Sequence, residues 1–315
     1  MQLQRYFIGQ LVVVLCLLIG ANFFIARMAA NSVPRQLLSK INSKTSAKVV
    51  FLGNSTMAAA VDEQAIEDIT PGTLTLNAAL GASSPVEHLL LYQHLKDLNV
   101  EIVYYGFFDF QLTNVPIGNI SELSGNRAMA LYDDAEKSIQ YYAADSWCNA
   151  IAIRAASKVP AIMERLSVWA KVERLRRSLG EIGMPKRSSN QFGSIQDFQL
   201  LESDPESFRR ECELSTKDQV NIIGPLRELF QRAIESGQRI TVVEMPMPSV
   251  HRNGRYDTPH WFAYRQFLKT KLAEWQIQYM DASEWIGDDG FSDNLHLNAR
   301  GAWSFSSRLA KMDLQ

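Results

Sequence analysis

The stretch "AKVVFLGNSTMAAAVDEQAI", residues 47–66, contains the transition that decides the fold. It begins with a short, nearly continuous apolar run from Lys48 to Gly53, which is typical of a strand covered on both faces. The chain breaks at Gly53, and the residues that follow read as the start of a helix. Ser55 lies at this junction and has two interpretations, because serine is both a favoured helix N-cap and a possible nucleophile at the rim of a sheet.

Strand-like and helix-like segments alternate along the rest of the chain. Further apolar runs of strand length lie at 73–77, 100–106, 239–245 and 277–282. The segments with apolar residues at helical spacing lie at 85–98, 217–236 and 260–275. This alternation predicts an α/β fold, a three-layer sandwich in which a central parallel sheet has helices on both sides.

One long segment between the third and fourth strands interrupts the alternation. It predicts a mainly helical insertion at about 115–215, which forms either one wall of a substrate cleft or a cover over the sheet. The predicted organisation is an N-terminal anchor at 1–27, a stalk at 28–46 and an α/β domain at 47–315.

The N-terminus carries an apolar run. Tyr6 to Ala26 contains no charged residue and has the length of one helical bilayer crossing, so we expect contact with a membrane through residues 6–26. The run is longer than the apolar region of a signal peptide, which favours an uncleaved anchor over a cleaved signal. Lysines and arginines after the run favour a cytoplasmic body. Long exported domains also follow such anchors, so the charges leave the orientation open.

Composition excludes several classes of partner and site. The 315 residues have a formal net charge of -2, and no block of like charge indicates a nucleic-acid surface. The cysteines, Cys16, Cys148 and Cys212, form no C-x-x-C pair, so we predict neither a zinc site nor a redox dithiol, and no metal is implied. Cys148 and Cys212 are candidates for a disulfide if the body is exported.

Residues that follow the strands are the candidates for chemistry, since function in open parallel sheets gathers at the carboxyl ends of the strands. Asp293 and His296 are spaced D-x-x-H, which supplies an imidazole base for a serine and a carboxylate that orients it. The alternative is a polar pair that caps the last helix. Gly81 offers a backbone N–H where a side chain would obstruct approach, or alternatively permits a positive φ angle.

Three blocks together resemble the SGNH (GDSL-like) hydrolase superfamily. "FLGNST" at 51–56, "NAALGAS" at 77–83 and "FSDNLHLNARGAWSFSSRLA" at 291–310 resemble its first, second and last blocks. "EMPMP" at 244–248 and the N-terminal apolar run are similar to features of the membrane-anchored SGNH-like proteins that are associated with envelope polysaccharide acylation. Examples are the alginate O-acetylation proteins and the D-alanyl-lipoteichoic acid biosynthesis protein.

The resemblance implies a flavodoxin-like sandwich and a role for each matched residue. Ser55 would be the nucleophile, His296 the base and Asp293 its orienting partner, with the backbone N–H groups of Ser55 and Gly81 as oxyanion donors. No cofactor is implied. The implied substrates are acyl esters of an envelope or exported polysaccharide, the implied partner is a membrane-bound acyltransferase, and the implied location is the cell (inner) membrane with a periplasmic or extracellular body.

The third block departs from the pattern of this superfamily. Where G-x-N-D is expected the chain reads Gly106-Phe107-Phe108-Asp109, and Phe108 cannot supply the oxyanion donor that the asparagine side chain supplies. Loss of one such donor typically costs about 100- to 1000-fold in rate. The polar residues that could replace it or line the cleft are Asn54, Asp109, Gln111 and Asn114.

Three functions are therefore compatible with the sequence. The first is a serine esterase or O-acyltransferase that works through an acyl-enzyme intermediate. The second is a catalytically weak or inactive binding and assembly subunit of a polysaccharide-modifying complex, which the Phe108 departure suits. The third, a lipase or thioesterase, follows if the body faces the cytoplasm.

Overall fold

The computed structural model describes residues 2–29, 32–113, 135–142, 146–159, 205–217 and 220–314. Much of the predicted insertion lies outside these residues. Its predicted role as one wall of a cleft therefore stays a prediction. The described strands are β1 (Val49–Gly53), β2 (Thr75–Asn77), β3 (Ile102–Phe107), β4 (Arg239–Glu244) and β5 (Gln278–Asp281). They form one sheet in the order β2-β1-β3-β4-β5, in which all neighbours are parallel. The predicted parallel sheet is confirmed.

Helices occupy the predicted connections. The described helices before the insertion are α1 (Gln2–Ala29), α2 (Val33–Ser43), α3 (Ser55–Ala60), α4 (Glu63–Ile69) and α5 (Pro85–Gln93). Within the range of the insertion lie α6 (Ala135–Tyr142), α7 (Trp147–Lys158) and α8 (Pro205–Ser215), and the longer helices after it are α9 (Gly224–Glu235), α10 (Pro259–Ala273) and α11 (Ala299–Leu309). Proline occupies the first turn of α5, α9 and α10, where its missing N–H costs nothing.

The strands are buried on both faces, as their continuous apolar runs predict. On one face, side chains of β1, β3 and β4 form a core with α3, α4 and α11; its members include Phe51, Tyr104, Val243, Ile66 and Phe305. On the other face Tyr105 packs edge-to-face against Phe230 of α9, while His88 of α5 contacts the same tyrosine. These two helical layers and the sheet make the predicted three-layer sandwich.

The chain divides into two compact units, and one boundary between them lies inside α2, between Ser39 and Lys40. The first unit contains α1, α6 and α7, and the second contains the sheet, its flanking helices and α8. Within the first unit Arg154 of α7 makes two 2.8 Å hydrogen bonds to Glu136 of α6. The predicted borders of anchor, stalk and α/β domain stay predictions.

The N-terminal helix α1 carries the apolar run. Phe7–Met28 spans 22 residues with a mean hydropathy of 2.4, so the helix is long and apolar enough to cross a bilayer. Cys16 in this helix, Cys148 and Cys212 are all free thiols. Cys148 lies in the first unit and Cys212 in the second, so the disulfide that an exported body would allow stays a prediction.

Two glycines at the ends of adjacent strands allow α3 to sit close to the sheet. Gly53 and Gly106 are paired in register across β1 and β3. Gly53 has φ +144°, and a Cβ there would lie 2.8 Å from the Gly106 carbonyl oxygen. A Cβ on Gly106 would lie 2.7 Å from the terminal methyl of Met57 in α3. Side chains at either position would push α3, and Ser55 with it, away from the strand ends.

Candidate functional site

The predicted site residues lie at one edge of the sheet. Ser55 directly follows β1, Gly81 follows β2, Asp109 follows β3, and the loop with His296 follows β5. Apolar neighbours of the first, second and last of these segments belong to a single core cluster: Met57, Ala79, Phe291 and Leu297. The shared core holds the three segments together at the carboxyl ends of the strands.

Ser55 is the first residue of α3, and the cap of this helix is Asn54. The Asn54 side-chain oxygen accepts hydrogen bonds from the Thr56 backbone N–H at 3.1 Å and from the Thr56 hydroxyl at 2.8 Å. The interpretation of Ser55 as the N-cap is therefore wrong, because the neighbouring asparagine satisfies that end of the helix. Ser55 itself is half-buried at the rim of the sheet.

Gly81 lies beside Ser55 in a tight turn from Leu80 to Ser83. The Leu80 carbonyl accepts from the Ser83 backbone N–H at 3.3 Å, and the positive φ of the turn, +54°, falls on Ala82. A positive φ at Gly81 is thus not the reason for this glycine. A Cβ built on Gly81 would lie 3.6 Å from the Ser55 Cβ, which is ordinary contact, so the glycine leaves open the space next to the serine.

Asp293 and His296 are in direct contact. The Nδ1 atom of His296 lies 2.8 Å and 3.0 Å from the two carboxylate oxygens of Asp293. The Asp293 Oδ1 atom also accepts the backbone N–H groups of Leu295 and His296, each at 2.8 Å. Partial burial alone would raise the pKa of Asp293, but hydrogen bonds from the His296 ring and these two N–H groups outweigh it and lower the pKa.

This arrangement sets the tautomer of the histidine. An ionised Asp293 accepts the Nδ1–H, so Nε2, which is shielded from solvent, is the ring nitrogen that carries the lone pair when the ring is neutral. The cap of the following helix is Asn298, whose side chain accepts the Gly301 N–H at 3.0 Å. The alternative role for Asp293 and His296, capping the last helix, is thus wrong.

The loop that carries His296 is tied to the helix that carries Ser55. Phe291 and Leu297 pair in an antiparallel bridge that closes the loop. In α11, which follows, the Ser306 hydroxyl donates to the Ala60 carbonyl of α3 at 3.1 Å and accepts the Asp62 N–H at 2.8 Å. Gly81 therefore lies beside Ser55, Asp293 contacts His296, and α11 ties the loop of His296 to the helix of Ser55.

The residues around the third block have structural partners. Asn54 donates from its amide nitrogen to the Gln111 side-chain oxygen at 3.1 Å, and Gln111 donates to the Gly106 carbonyl at 2.9 Å. Asp109 accepts the Gln111 N–H at 3.0 Å, and burial raises the pKa of Asp109 against the opposing effects of that N–H and of Arg255. A role for Asn54 or Asp109 as an additional donor stays a prediction, and Asn114 lies outside the described residues.

Phe108 packs as an apolar residue. Its side chain lies against the core cluster on the α3 side of the sheet, and its carbonyl accepts a hydrogen bond from the Tyr256 hydroxyl. The position where the SGNH pattern has asparagine therefore contributes to the core and supplies no side-chain donor.

Sequence reasoning missed a buried polar network that joins the turn of Gly81 to β3. It consists of Ser83, His88 and Tyr105, of which His88 and Tyr105 are buried. It also missed Glu244 at the end of β4, which is fully buried and paired with Arg265. Both networks join residues from separate elements, and no spacing within one segment signals them.

Comparisons with known proteins add little. No family model and no curated protein matches the chain. A matching solved structure is a protein of Streptococcus pneumonia provisionally described as a platelet activating factor, with 9% sequence identity and a TM-score of 0.37. The match covers 96% of this chain and 97% of that chain. At this TM-score the likeness supports no conclusion about the fold or the chemistry of this chain.

Proposed function

We propose that this chain is a serine esterase or O-acyltransferase of the SGNH type, anchored to a membrane, that acts on acyl esters of an envelope or exported polysaccharide. The observation that carries the proposal is the Asp293–His296 hydrogen bond of 2.8 Å on a loop tied to the helix of Ser55. The position of Gly81, where a Cβ would lie 3.6 Å from the Ser55 Cβ, supports the assignment of its backbone N–H as an oxyanion donor. The substrate class and an acyltransferase partner rest on the sequence resemblance.

The proposed reaction begins when the Ser55 hydroxyl attacks the acyl carbon. Its proton passes to Nε2 of His296, and Asp293 stabilises the resulting imidazolium. The negative charge on the former carbonyl oxygen falls between the backbone N–H groups of Ser55 and Gly81. Collapse breaks the bond to the leaving alkoxide, which takes the proton from His296 and leaves an acyl-serine. Water or a sugar hydroxyl then attacks the acyl-serine by the same steps and restores Ser55.

A chemical probe tests the nucleophile. We expect a serine-directed phosphonate to label the full-length chain in detergent at Ser55, located by peptide mass, and we expect Ser55→Ala to lose the label together with turnover of an activated acetyl ester. The matched control is Ser236→Ala, which removes a surface hydroxyl bonded to the Arg232 carbonyl at 2.8 Å. Equal labelling and equal turnover in wild type and Ser55→Ala would eliminate the assignment.

Gly81→Ala tests whether turnover needs the open space beside Ser55, with stability measured separately. Since φ at Gly81 is not positive and a Cβ would lie 3.6 Å from the Ser55 Cβ, an alanine fits at this position without strain or a clash. We expect unchanged stability or a gain of about 0.4–1 kcal/mol in the free energy of unfolding. The methyl group would occupy the space that an acyl oxygen needs, so turnover should fall by about 100-fold or more. A fully active and stable Gly81→Ala would rule out Gly81 as an oxyanion donor.

Phe108 favours a second candidate function. Because its apolar side chain contributes to the core instead of to an oxyanion hole, a binding or assembly subunit with little activity is the alternative. Absence of turnover in the wild type, with binding of the acylated polysaccharide retained, is the outcome that this alternative expects.

We further propose that α1 is an uncleaved anchor and that the body faces the outer side of the cell membrane. The length and hydropathy of Phe7–Met28 support the anchor, and the sequence resemblance supports the orientation. Alkaline phosphatase fused after residue 315 should be active. An inactive fusion at normal expression would place the body in the cytoplasm instead.

A further inference from the structure

A buried chain of hydrogen bonds runs from β3 to the turn that carries Gly81. The Tyr105 hydroxyl lies 2.9 Å from Nδ1 of His88, and Nε2 of His88 lies 2.6 Å from the Ser83 hydroxyl. The Ser83 hydroxyl lies 2.5 Å from the Leu80 carbonyl oxygen. Tyr105 and His88 are 0% and 1% exposed, so both nitrogens of a shielded imidazole are held between two hydroxyl groups.

The direction of each hydrogen bond follows from proton counting. The Leu80 carbonyl can only accept, so the single Ser83 hydroxyl proton is donated to it. The Ser83 oxygen then accepts from Nε2–H of His88, and Nδ1 of the neutral ring accepts from the Tyr105 hydroxyl. Burial lowers the pKa of His88 to about 3, and a hydrogen bond to the Gly53 backbone opposes this shift only in part. The ring is therefore neutral. Burial also raises the pKa of Tyr105 well above its ordinary value, so the phenol keeps its proton.

We propose that Ser83 and His88 are positioning residues that aim the Gly81 N–H at the oxyanion formed on Ser55. The Leu80 carbonyl and the Gly81 N–H belong to one planar trans peptide group, so they point in opposite directions. The relay from Tyr105 through His88 to Ser83 holds the carbonyl end of this group. The Leu80 N–H, which donates to the Gly53 carbonyl at 3.0 Å, holds the preceding peptide group. This inference rests on the proposed function of Ser55 and Gly81.

Such support matters more here than in a site with a side-chain donor. Phe108 contributes no donor, so in the proposed mechanism the oxyanion depends on two backbone N–H groups. Preorganised donors stabilise a transition state only when they are held in place before the charge develops. The buried imidazole would be costly without partners, and here both of its nitrogens are used.

Kinetics of matched variants test the relay. In the full-length chain in detergent, Ser83→Ala should lower kcat for an activated acetyl ester by about tenfold to 100-fold, a fraction of the effect of losing the donor itself, with KM within about twofold. Ser83→Thr, which keeps the hydroxyl, should restore kcat. The control His94→Gln alters the histidine at the end of the same helix and should leave kcat unchanged. An unchanged kcat in Ser83→Ala would overturn the proposal and leave the Ser55 assignment standing.

Nitrogen NMR tests the relay without reference to activity. The chain has five histidines, so ¹⁵N-histidine labelling gives few ring signals, and His88→Gln identifies those of His88. We expect His88 as the neutral Nε2–H tautomer, and we expect the Gly81 amide resonance to shift in Ser83→Ala but not in His94→Gln. A protonated or Nδ1–H ring, or an unmoved Gly81 amide, would overturn the relay. If both signatures are present in a protein that lacks turnover, the relay stands and the proposed activity fails.

Discussion

Replacing His296 by glutamine should lower the turnover number for an activated acetyl ester on the order of 10⁴-fold. The reason is that the proposed base takes the Ser55 proton at Nε2, and the glutamine amide cannot accept a proton at neutral pH. The loop should survive the substitution, since Asp293 accepts the backbone N–H groups of Leu295 and His296 at 2.8 Å, and these bonds do not require the ring.

The measurement is steady-state turnover with thermal unfolding as the check on folding. His94→Gln is the matched control and should keep wild-type turnover. His296→Ala should partly recover its activity when free imidazole is added, because a diffusible base can enter the space that the ring leaves. Turnover of His296→Gln within tenfold of wild type would show that another group is the base.

Replacing Arg265 by methionine should lower the free energy of unfolding by about 3–5 kcal/mol. Glu244 is 0% exposed and accepts from Arg265 at 2.8 Å and 2.6 Å and from the Trp261 indole at 2.8 Å. The Tyr279 hydroxyl also donates to this carboxylate. Methionine would leave a buried carboxylate without its cation, and the remaining donors replace only part of the lost interaction.

Chemical denaturation of the full-length chain in detergent measures this loss. Arg232→Met is the matched control, because it removes an i,i+4 pair with Glu228 of similar length, 2.6 Å, that is only partly buried and should cost at most about 1 kcal/mol. The double variant Glu244→Leu with Arg265→Met should regain much of the stability, since it leaves neither charge buried alone. A loss in Arg265→Met no larger than that in Arg232→Met would contradict the assigned role of the buried pair.

The parallel sheet and the layer structure were accessible from the sequence for a simple reason, whereas the strand order came only from the structure. A parallel strand that is covered on both faces needs a nearly unbroken apolar run, and β1, with all five residues buried, shows this directly. The intervening helices show their apolar spacing in the same local way. The predicted ends of the helices were less accurate. The helix predicted at 85–98 ends at Gln93, because Leu95 and Leu98 are buried from a turn instead of from a helix.

The sequence by itself determined the alternation of strands and helices, the apolar N-terminal helix and the local Asp293-x-x-His296 pair, because each depends on neighbours within a few residues. Only the tertiary structure decided that Asn54 caps α3, that the positive φ in the second block falls on Ala82, and that Gly81 lies beside Ser55. Only the fold could join Ser83 and His88 to Tyr105, or Glu244 to Arg265. Such contacts join side chains from separate elements. A pattern within one segment does not predict which distant side chain will form the hydrogen bonds of a buried polar group.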